Sequence, residues 1–224
     1  MRQFLIAGLG NFGSTIAQAL YERGCQVLAI DNDKEKVQDI ADVVTQSIVM
    51  DVTDRDAIAS LPLQPSDIAI ISLGSQMEAS ILATLYFKEM GIDSIMAKAM
   101  NEDHGKILKL IGASEIIIPE KQMALRIADR LAHPNVLDMV SVVDGFSMAE
   151  LLPLESYYGK SLLDLDIRRK IGIEIVAIKH ADKSPEGIIT ERIKGIPSGD
   201  YVIERGDILV VVGDDKCIDK YRKM

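Results

Sequence analysis

Cysteines are few in these 224 residues, and long basic or apolar runs are missing. Cys25 and Cys217 are too few and too far apart for a disulfide framework or a metal knuckle. The formal net charge of -9, without a Lys/Arg cluster, argues against nucleic acid as the main partner. No apolar run approaches the roughly 18 residues of a membrane span, and a strand predicted from residue 4 leaves no room for a signal peptide. We therefore expect a soluble protein of the cytoplasm.

A glycine motif near the start of the chain lies between a predicted strand and a predicted helix. G-x-G-x-x-G fills residues 8–13, between a predicted buried strand over 4–7 and a predicted helix over 11–23. The first glycine permits a tight turn, the second lets the backbone approach a phosphate, and the third lets helix and strand pack closely. A second predicted strand ends in Asp31, about 20 residues on, where a ribose-binding carboxylate belongs. The motif therefore predicts a nucleotide-binding Rossmann unit.

Apolar strand-like segments alternate with helical ones as far as Ile118, and the loops between them are short. This alternation predicts an α/β fold with a Rossmann doubly wound parallel sheet. The six predicted strands are 4–7, 27–30, 47–50, 68–73, 94–98 and 116–118.

After Pro119 the pattern changes. Residues 120–132 predict one amphipathic helix, and short strands separated by Gly, Pro and Asp turns follow it. These predicted strands are 140–143, 173–178, 188–193 and 208–212, with predicted helices over 162–170 and 215–222. We therefore predict a first domain over 1–134, which includes the connecting helix, and a smaller α+β C-terminal domain over 135–224.

Several longer motifs add to the glycine motif. They are G-L-G-N-F-G, A-I-D-N-D-K-E-K-V, A-K-A-M-N-E-D-H and I-G-A-S-E-I-I-I-P-E, then L-L-D-L-D-I-R-R-K-I-G-I-E-I-V-A-I-K and G-D-I-L-V-V-V-G. With them the whole chain resembles the RCK family, cytosolic regulators of potassium channels and transporters, and in particular its KtrA/TrkA-type subunits. The resemblance implies an RCK-N domain that binds ATP, ADP or a nicotinamide dinucleotide. It also implies a crossover helix that swaps between subunits, and an RCK-C (TrkA-C) domain.

The resemblance further implies a nucleotide site at the carboxyl ends of the strands. Asp31 would accept the ribose hydroxyls, Asp51 and Val52 would flank the adenine, and Lys98, helped by His104, would neutralise phosphate charge. The implied contact residues are Gly8, Gly10, Asn11, Phe12, Gly13, Asp31, Asn32, Asp33, Asp51, Val52, Leu73, Gly74, Ser75, Lys98, Ala99, Met100, His104 and Glu120.

Glu120 matches a residue that, in KtrA-type proteins, helps to hold a divalent cation against the terminal phosphate, so Mg or Ca is an implied ligand. From the residues alone, two other interpretations stay open. Glu120 equally suits the first turn of a helix, where the dipole favours a carboxylate. His104 equally suits a solvent-facing position one turn after a helix cap.

One departure from the family pattern concerns position 11. KtrA-like sequences have Arg where this chain has Asn11, and that Arg reaches the γ-phosphate. Asn carries no charge and cannot replace a bidentate, charge-assisted contact; compensation by Arg126 stays open. The implied cofactor is therefore ATP/ADP or NAD(H), with a nicotinamide dinucleotide or AMP favoured by this departure. Asp31 argues against NADP, because a 2′-phosphate would meet a carboxylate.

A second ligand is implied in the C-terminal domain. Asp166, Ile167, Arg168 and Pro197 resemble the surface on which several family members bind cyclic di-AMP. The motif is loose, and an ordinary helix end is the alternative interpretation.

The resulting hypothesis is a non-catalytic subunit that senses a nucleotide and regulates a membrane potassium channel or transporter. Homodimers would assemble into a ring, an octamer, at the inner face of the plasma membrane on a KtrB/TrkH-like subunit. The alternatives are an NAD-dependent oxidoreductase and a nucleotide or redox sensor for a non-potassium partner. Against the first, no Tyr is followed by Lys four residues later, so the short-chain dehydrogenase pair is absent.

Overall fold

The computed structural model describes residues 3–74, 76–133, 135–183 and 189–224. The chain divides into two compact units, with the boundary between Lys121 and Gln122. This division falls inside a helix, and the domain boundary that we predict after residue 134 stays a prediction. Each unit is described by itself.

The first unit is built on a parallel sheet, and the predicted α/β class is confirmed. Its strands are β1 (Gln3–Ala7), β2 (Gln26–Asp31), β3 (Gln46–Val49), β4 (Ile68–Ile71), β5 (Ser94–Lys98) and β6 (Glu115–Ile117), in the spatial order β3-β2-β1-β4-β5-β6. The helices are α1 (Asn11–Glu22), α2 (Lys34–Ile40), α3 (Arg55–Ala59), α4 (Met77–Glu89), α5 (Glu102–Ile111) and α6 (Pro119–Ala132), the last of which begins in this unit.

The central strands are buried on both faces. Leu5, Ile6, Leu28 and Ala29 have no exposed surface. Because successive side chains of a strand point to opposite faces, Leu5 and Leu28 enter one apolar cluster while Ile6 and Ala29 enter another. The strand order reverses between β2 and β4, which both pair with β1. In sheets of this kind ligands bind at the carboxyl ends of the strands beside such a reversal.

The second unit contains an antiparallel sheet with short helices. Its strands are β7 (Val136–Val143), β8 (Phe146–Leu151), β9 (Ile173–Lys183), β10 (Ile189–Gly195) and β11 (Asp207–Asp214), in the order β10-β9-β11-β8-β7. The helices are α7 (Leu162–Leu165), α8 (Ile167–Ile171) and α9 (Asp215–Arg222). The smaller α+β domain is thus confirmed.

Three details of the prediction for this unit change. Strand β8 was not predicted, and β7 begins four residues before the predicted start at Val140. The predicted single helix over 162–170 is two short helices, because Asp166 between them has a φ of +47° and cannot continue the first. Ile188, predicted to begin a strand, lies outside the described residues.

A buried carboxylate joins three strands of the second sheet. Asp207 has a fully buried side chain, 2.7 Å from Nδ1 of His180 on β9. It also accepts hydrogen bonds from the Tyr201 hydroxyl (2.7 Å), the Glu204 amide (2.9 Å) and Nζ of Lys194 on β10 (3.1 Å). Burial alone would raise the pKa of Asp207, but the hydrogen bonds from His180, Glu204, Tyr201 and Lys194 outweigh it and lower that pKa.

We expect Asp207→Asn to destabilise the second unit by about 2–3 kcal/mol at pH 7, because a buried charged acceptor is lost. Since the folded pKa is lowered, the ionised group stabilises the fold above the unfolded value of about 3.9, and this contribution disappears as pH falls through the folded value. Calorimetric unfolding at pH 7 and pH 3 measures the difference, with exposed Asp144→Asn as control. An equal loss at both pH values would contradict the linkage.

Candidate functional site

The loop after β1 is shaped by two glycines whose positions exclude a side chain. Gly8 has a φ of +96°, and a Cβ there would lie 2.8 Å from the Ser72 carbonyl oxygen. A Cβ on Gly13 would collide with the carbonyl oxygen of Gly8. Gly10 differs, because a Cβ there would face open space. Gly10 also begins α1 without a side-chain cap and with no acidic residue in the first turn. The amides of this helix end can therefore bind a phosphate.

The carboxylate of Asp31 fixes this loop to the end of β2. Its Oδ2 accepts the Leu9 amide at 2.6 Å, and its Oδ1 accepts the Asp33 amide at 2.9 Å. The residue is only 6% exposed, and the nearest ammonium, Nζ of Lys36, lies 3.9 Å from Oδ1. Two amides leave further lone pairs on the carboxylate, so it can also accept hydroxyl groups of a ribose.

A cavity opens beside Asp31 at the carboxyl ends of the first four strands. It brings together residues that the sequence predicts for the site, namely Gly8, Gly10, Asp31, Asn32, Asp51, Val52 and Leu73. It also contains residues that sequence reasoning missed, namely Lys36, Met50, Ser72 and Gln76. Lys36 lies within the quoted A-I-D-N-D-K-E-K-V motif, so its signal was present in the sequence. Ser75 lies outside the described residues.

The side of the cavity that is predicted to hold the adenine combines an apolar residue with a second carboxylate. Val52 is 6% exposed. Oδ1 of Asp51 accepts the Thr53 amide at 2.8 Å and the Thr53 hydroxyl at 2.7 Å. The amide and hydroxyl hydrogen bonds lower the pKa of Asp51, so it is ionised at neutral pH. This side can accept hydroxyl and amino groups and is unfavourable for an added phosphate.

Lys98 supplies positive charge near the glycine loop. Its side chain passes Gly74, where a Cβ would lie 3.2 Å from Cε of Lys98, and its Nζ is 5.8 Å from the centre of the Phe12 ring. Nζ donates a hydrogen bond to Oε1 of Glu120 at 2.6 Å. This hydrogen bond lowers the pKa of Glu120.

Among the residues that the structure describes, Glu120 has no cluster of protein ligands around it that would hold a metal. In the described part of the chain, His, Cys, Asp and Glu atoms come together in threes only at His180, Glu204 and Asp207. A divalent cation at Glu120 would therefore need phosphate oxygens to complete its coordination.

His104 has a structural role in place of the charged role that we predicted. The side chain is 1% exposed, its Nδ1 accepts the Met100 amide at 3.3 Å, and Nε2 has no partner among the described residues. Burial lowers the pKa of His104, so the ring is neutral and adds no positive charge near a phosphate. It supports the backbone at Met100, which is half exposed, while Ala99 is buried and donates its amide to Ile117.

The second predicted ligand surface forms one groove in the second unit. Asp166, Ile167, Arg168 and Pro197 all line it. Nε of Arg168 lies 3.0 Å from Oε2 of Glu174, and both side chains are exposed, so the guanidinium remains accessible to an anion.

Comparison with known proteins identifies the family. The family model of the TrkA-N domain matches residues 4–119, and that of the TrkA-C domain matches residues 150–224. The Ktr system potassium uptake protein C of Bacillus subtilis is 39% identical over 222 residues, which cover 99% of this chain and 96% of that protein. The chain belongs to the RCK family of KtrA/TrkA type.

Solved RCK structures confirm the fold. The GsuK RCK domain superposes with a TM-score of 0.65 at 18% identity, over 99% of this chain and 47% of that one. A GsuK channel bound to NAD gives a TM-score of 0.62 at 18% identity, over 96% of this RCK chain and 38% of the channel chain. The chain thus spans less than half of these structures. Among its described residues, no helix is both long and apolar enough to cross a membrane.

The two positions Gly10 and Gly13 of the RCK glycine motif separate binding from folding. We expect Gly13→Ala to destabilise the first unit, because its Cβ would collide with the Gly8 carbonyl oxygen. Gly10→Ala has open space and an ordinary φ of -69°, so the fold should survive while nucleotide affinity falls about tenfold or more. Calorimetry measures unfolding and nucleotide binding of both variants. Unchanged nucleotide affinity in Gly10→Ala would contradict phosphate binding at this loop.

Proposed function

We propose that this chain is a non-catalytic regulatory subunit that senses a nucleotide and controls a membrane potassium transporter. The observation that carries the proposal is the match to a potassium uptake protein along almost the whole of both chains. The glycine loop, the buried Asp31 and the cavity beside them support a nucleotide site in the first unit.

The nucleotide that we propose is ADP, ATP or NAD(H), bound with its ribose at Asp31 and its phosphates at the amides of Gly10 and Asn11 and at Lys98. Asn11 brings no charge to the phosphates. The guanidinium of Arg126 makes two hydrogen bonds to the Asp138 carboxylate, and its contribution to phosphate binding stays a prediction. A site with this charge favours a diphosphate group and gives little added affinity for a third phosphate. Glu120 would meet a divalent cation only together with phosphate oxygens.

The assembly that we propose is a homodimer-based ring, an octamer, bound to a KtrB/TrkH-like subunit at the inner face of the plasma membrane. A ligand can shift such a ring only if it binds two ring conformations with different affinity. The phosphate end of the site is suited to supply this difference, since it includes Glu120 in the first turn of α6.

The proposal predicts nucleotide binding without turnover. We expect ADP and NADH to bind with micromolar affinity, and Lys98→Met to weaken ADP about tenfold, as for loss of a charge-assisted hydrogen bond. Titration calorimetry measures this, with exposed Lys106→Met as the matched control. Wild-type protein that binds none of ATP, ADP, NAD and NADH would overturn the proposal. So would oxidation of NADH by an added 2-oxo acid, or reduction of NAD by an added 2-hydroxy acid.

A measurement of potassium flux tests the proposed transporter partner. Proteoliposomes that hold a KtrB/TrkH-like transporter should take up potassium faster with this protein and nucleotide than with either alone. Lys98→Met should remove the response of potassium uptake to nucleotide. A rate of uptake that does not change when the protein is added would exclude this partner.

For the second unit we propose cyclic di-AMP as ligand, on the groove of Asp166, Ile167, Arg168 and Pro197. An accessible guanidinium beside an apolar wall suits a phosphate flanked by bases.

We expect Arg168→Ala to weaken cyclic di-AMP binding about tenfold or more, because a charge-assisted contact to phosphate is lost. The control is Arg205→Ala, which removes an equally exposed guanidinium outside the groove. Titration calorimetry measures both. Equal affinity in wild type and Arg168→Ala would contradict this assignment, whatever the outcome at the nucleotide site.

A further inference from the structure

The contact that carries a further inference is the ion pair between Lys98 and Glu120. Nζ of Lys98 donates to Oε1 of Glu120 at 2.6 Å, and the two side chains are 19% and 69% exposed. The lysine is therefore held largely inside the fold, while its partner is an exposed carboxylate in the first turn of α6.

Lys98 brings an ammonium to the phosphate end of the proposed site. Its stem lies against Gly74, and its Nζ lies near Phe12, which stands within the glycine motif. Asn11, the neighbour of Phe12, adds no charge. A phosphate that approaches the loop from the side of Phe12 therefore meets an ammonium whose hydrogen bond is already directed to a carboxylate. The ammonium of Lys36 lies elsewhere, beside Asp31.

A phosphate and a carboxylate cannot both make the best use of a single ammonium. The phosphate and the carboxylate would repel each other across a few ångströms. This repulsion adds to the free-energy cost of breaking the existing ion pair. A divalent cation changes the balance, because it attracts both anions and lets Glu120 and the phosphate share the same region.

From this geometry we infer that Glu120 is an internal counter-ion that competes with nucleotide phosphate for Lys98. Glu120 thereby acts as a specificity-determining residue that disfavours metal-free nucleotides relative to nucleotides complexed with a divalent cation. The inference rests on the proposed function, since it requires that a nucleotide binds at this loop.

The competition for Lys98 also affects the contacts that hold the first turn of α6. Lys121, the next residue, forms an ion pair with Glu102 of α5. Two consecutive residues thus fasten the first turn of α6 to the sheet and to α5, and a phosphate would replace one of these two contacts while the other remains.

The test compares Glu120→Gln with Glu102→Gln, which removes the same charge from the neighbouring ion pair and leaves Lys98 untouched. ADP binding is measured by calorimetry in EDTA and again with magnesium. Glu120→Gln should bind metal-free ADP roughly fivefold more tightly than wild type, the upper end of what an exposed ion pair contributes. The gain should shrink with added salt and with magnesium, and Glu102→Gln should behave as wild type.

The variant with both substitutions completes a double-mutant cycle of Lys98 and Glu120. In a Lys98→Met background, Glu120→Gln should change ADP affinity by much less than fivefold, because the group for which the two anions compete is absent. Glu120→Gln that binds metal-free ADP no more tightly than wild type would overturn the inference and leave the proposed function intact. An equal gain in Glu102→Gln would overturn it as well, by showing a general charge effect. Wild-type protein that binds no nucleotide would overturn the inference together with the proposed function.

Discussion

The hydrogen bonds of the Asp31 carboxylate are the interaction on which the proposed nucleotide site depends. Asp31 ends β2, and through the Leu9 amide it holds the loop that follows β1. A buried carboxylate is costly without donors, so the two amides that it accepts make the loop and the strand end stable only together. The close contacts of Gly8 and Gly13 agree with this, because a Cβ on Gly8 would meet Ser72 after β4 and a Cβ on Gly13 would meet the carbonyl oxygen of Gly8.

This part of the molecule could be predicted from the sequence because its signals are local. Parallel strands that are covered on both faces must be apolar without interruption, as in Leu5 and Ile6. The glycines and Asp31 are fixed by the course of the backbone, and their spacing in the sequence reflects it. Carboxyl ends of neighbouring parallel strands meet at one edge, so residues predicted on separate strands, such as Asp31 and Asp51, line the same cavity.

The rest could not be predicted because distant contacts decide it. In β8 the buried positions include Ser147, which bonds to Asp215 far along the chain, while Met148 is exposed, so the apolar alternation of a strand is hidden. Asp166 sits in a run with helical spacing, and only its left-handed backbone divides the helix. His104 follows the cap Asn101 as predicted, yet it is buried. Because the buried His104 ring is neutral, Lys98 is the residue that we propose for binding the phosphates.

The two ends of the proposed nucleotide site consequently have different capacities to respond to a ligand. At the proposed ribose end, the Asp31 carboxylate accepts the backbone amides of Leu9 and Asp33, so a bound sugar would change little around it. At the phosphate end, Lys98 is bonded to an exposed side chain that can move away when a stronger anion arrives. A switch requires two states of similar free energy, and such states arise more readily from exchangeable ion pairs than from buried hydrogen bonds. The adenosine part of a ligand would therefore provide affinity, and its phosphates would provide the signal.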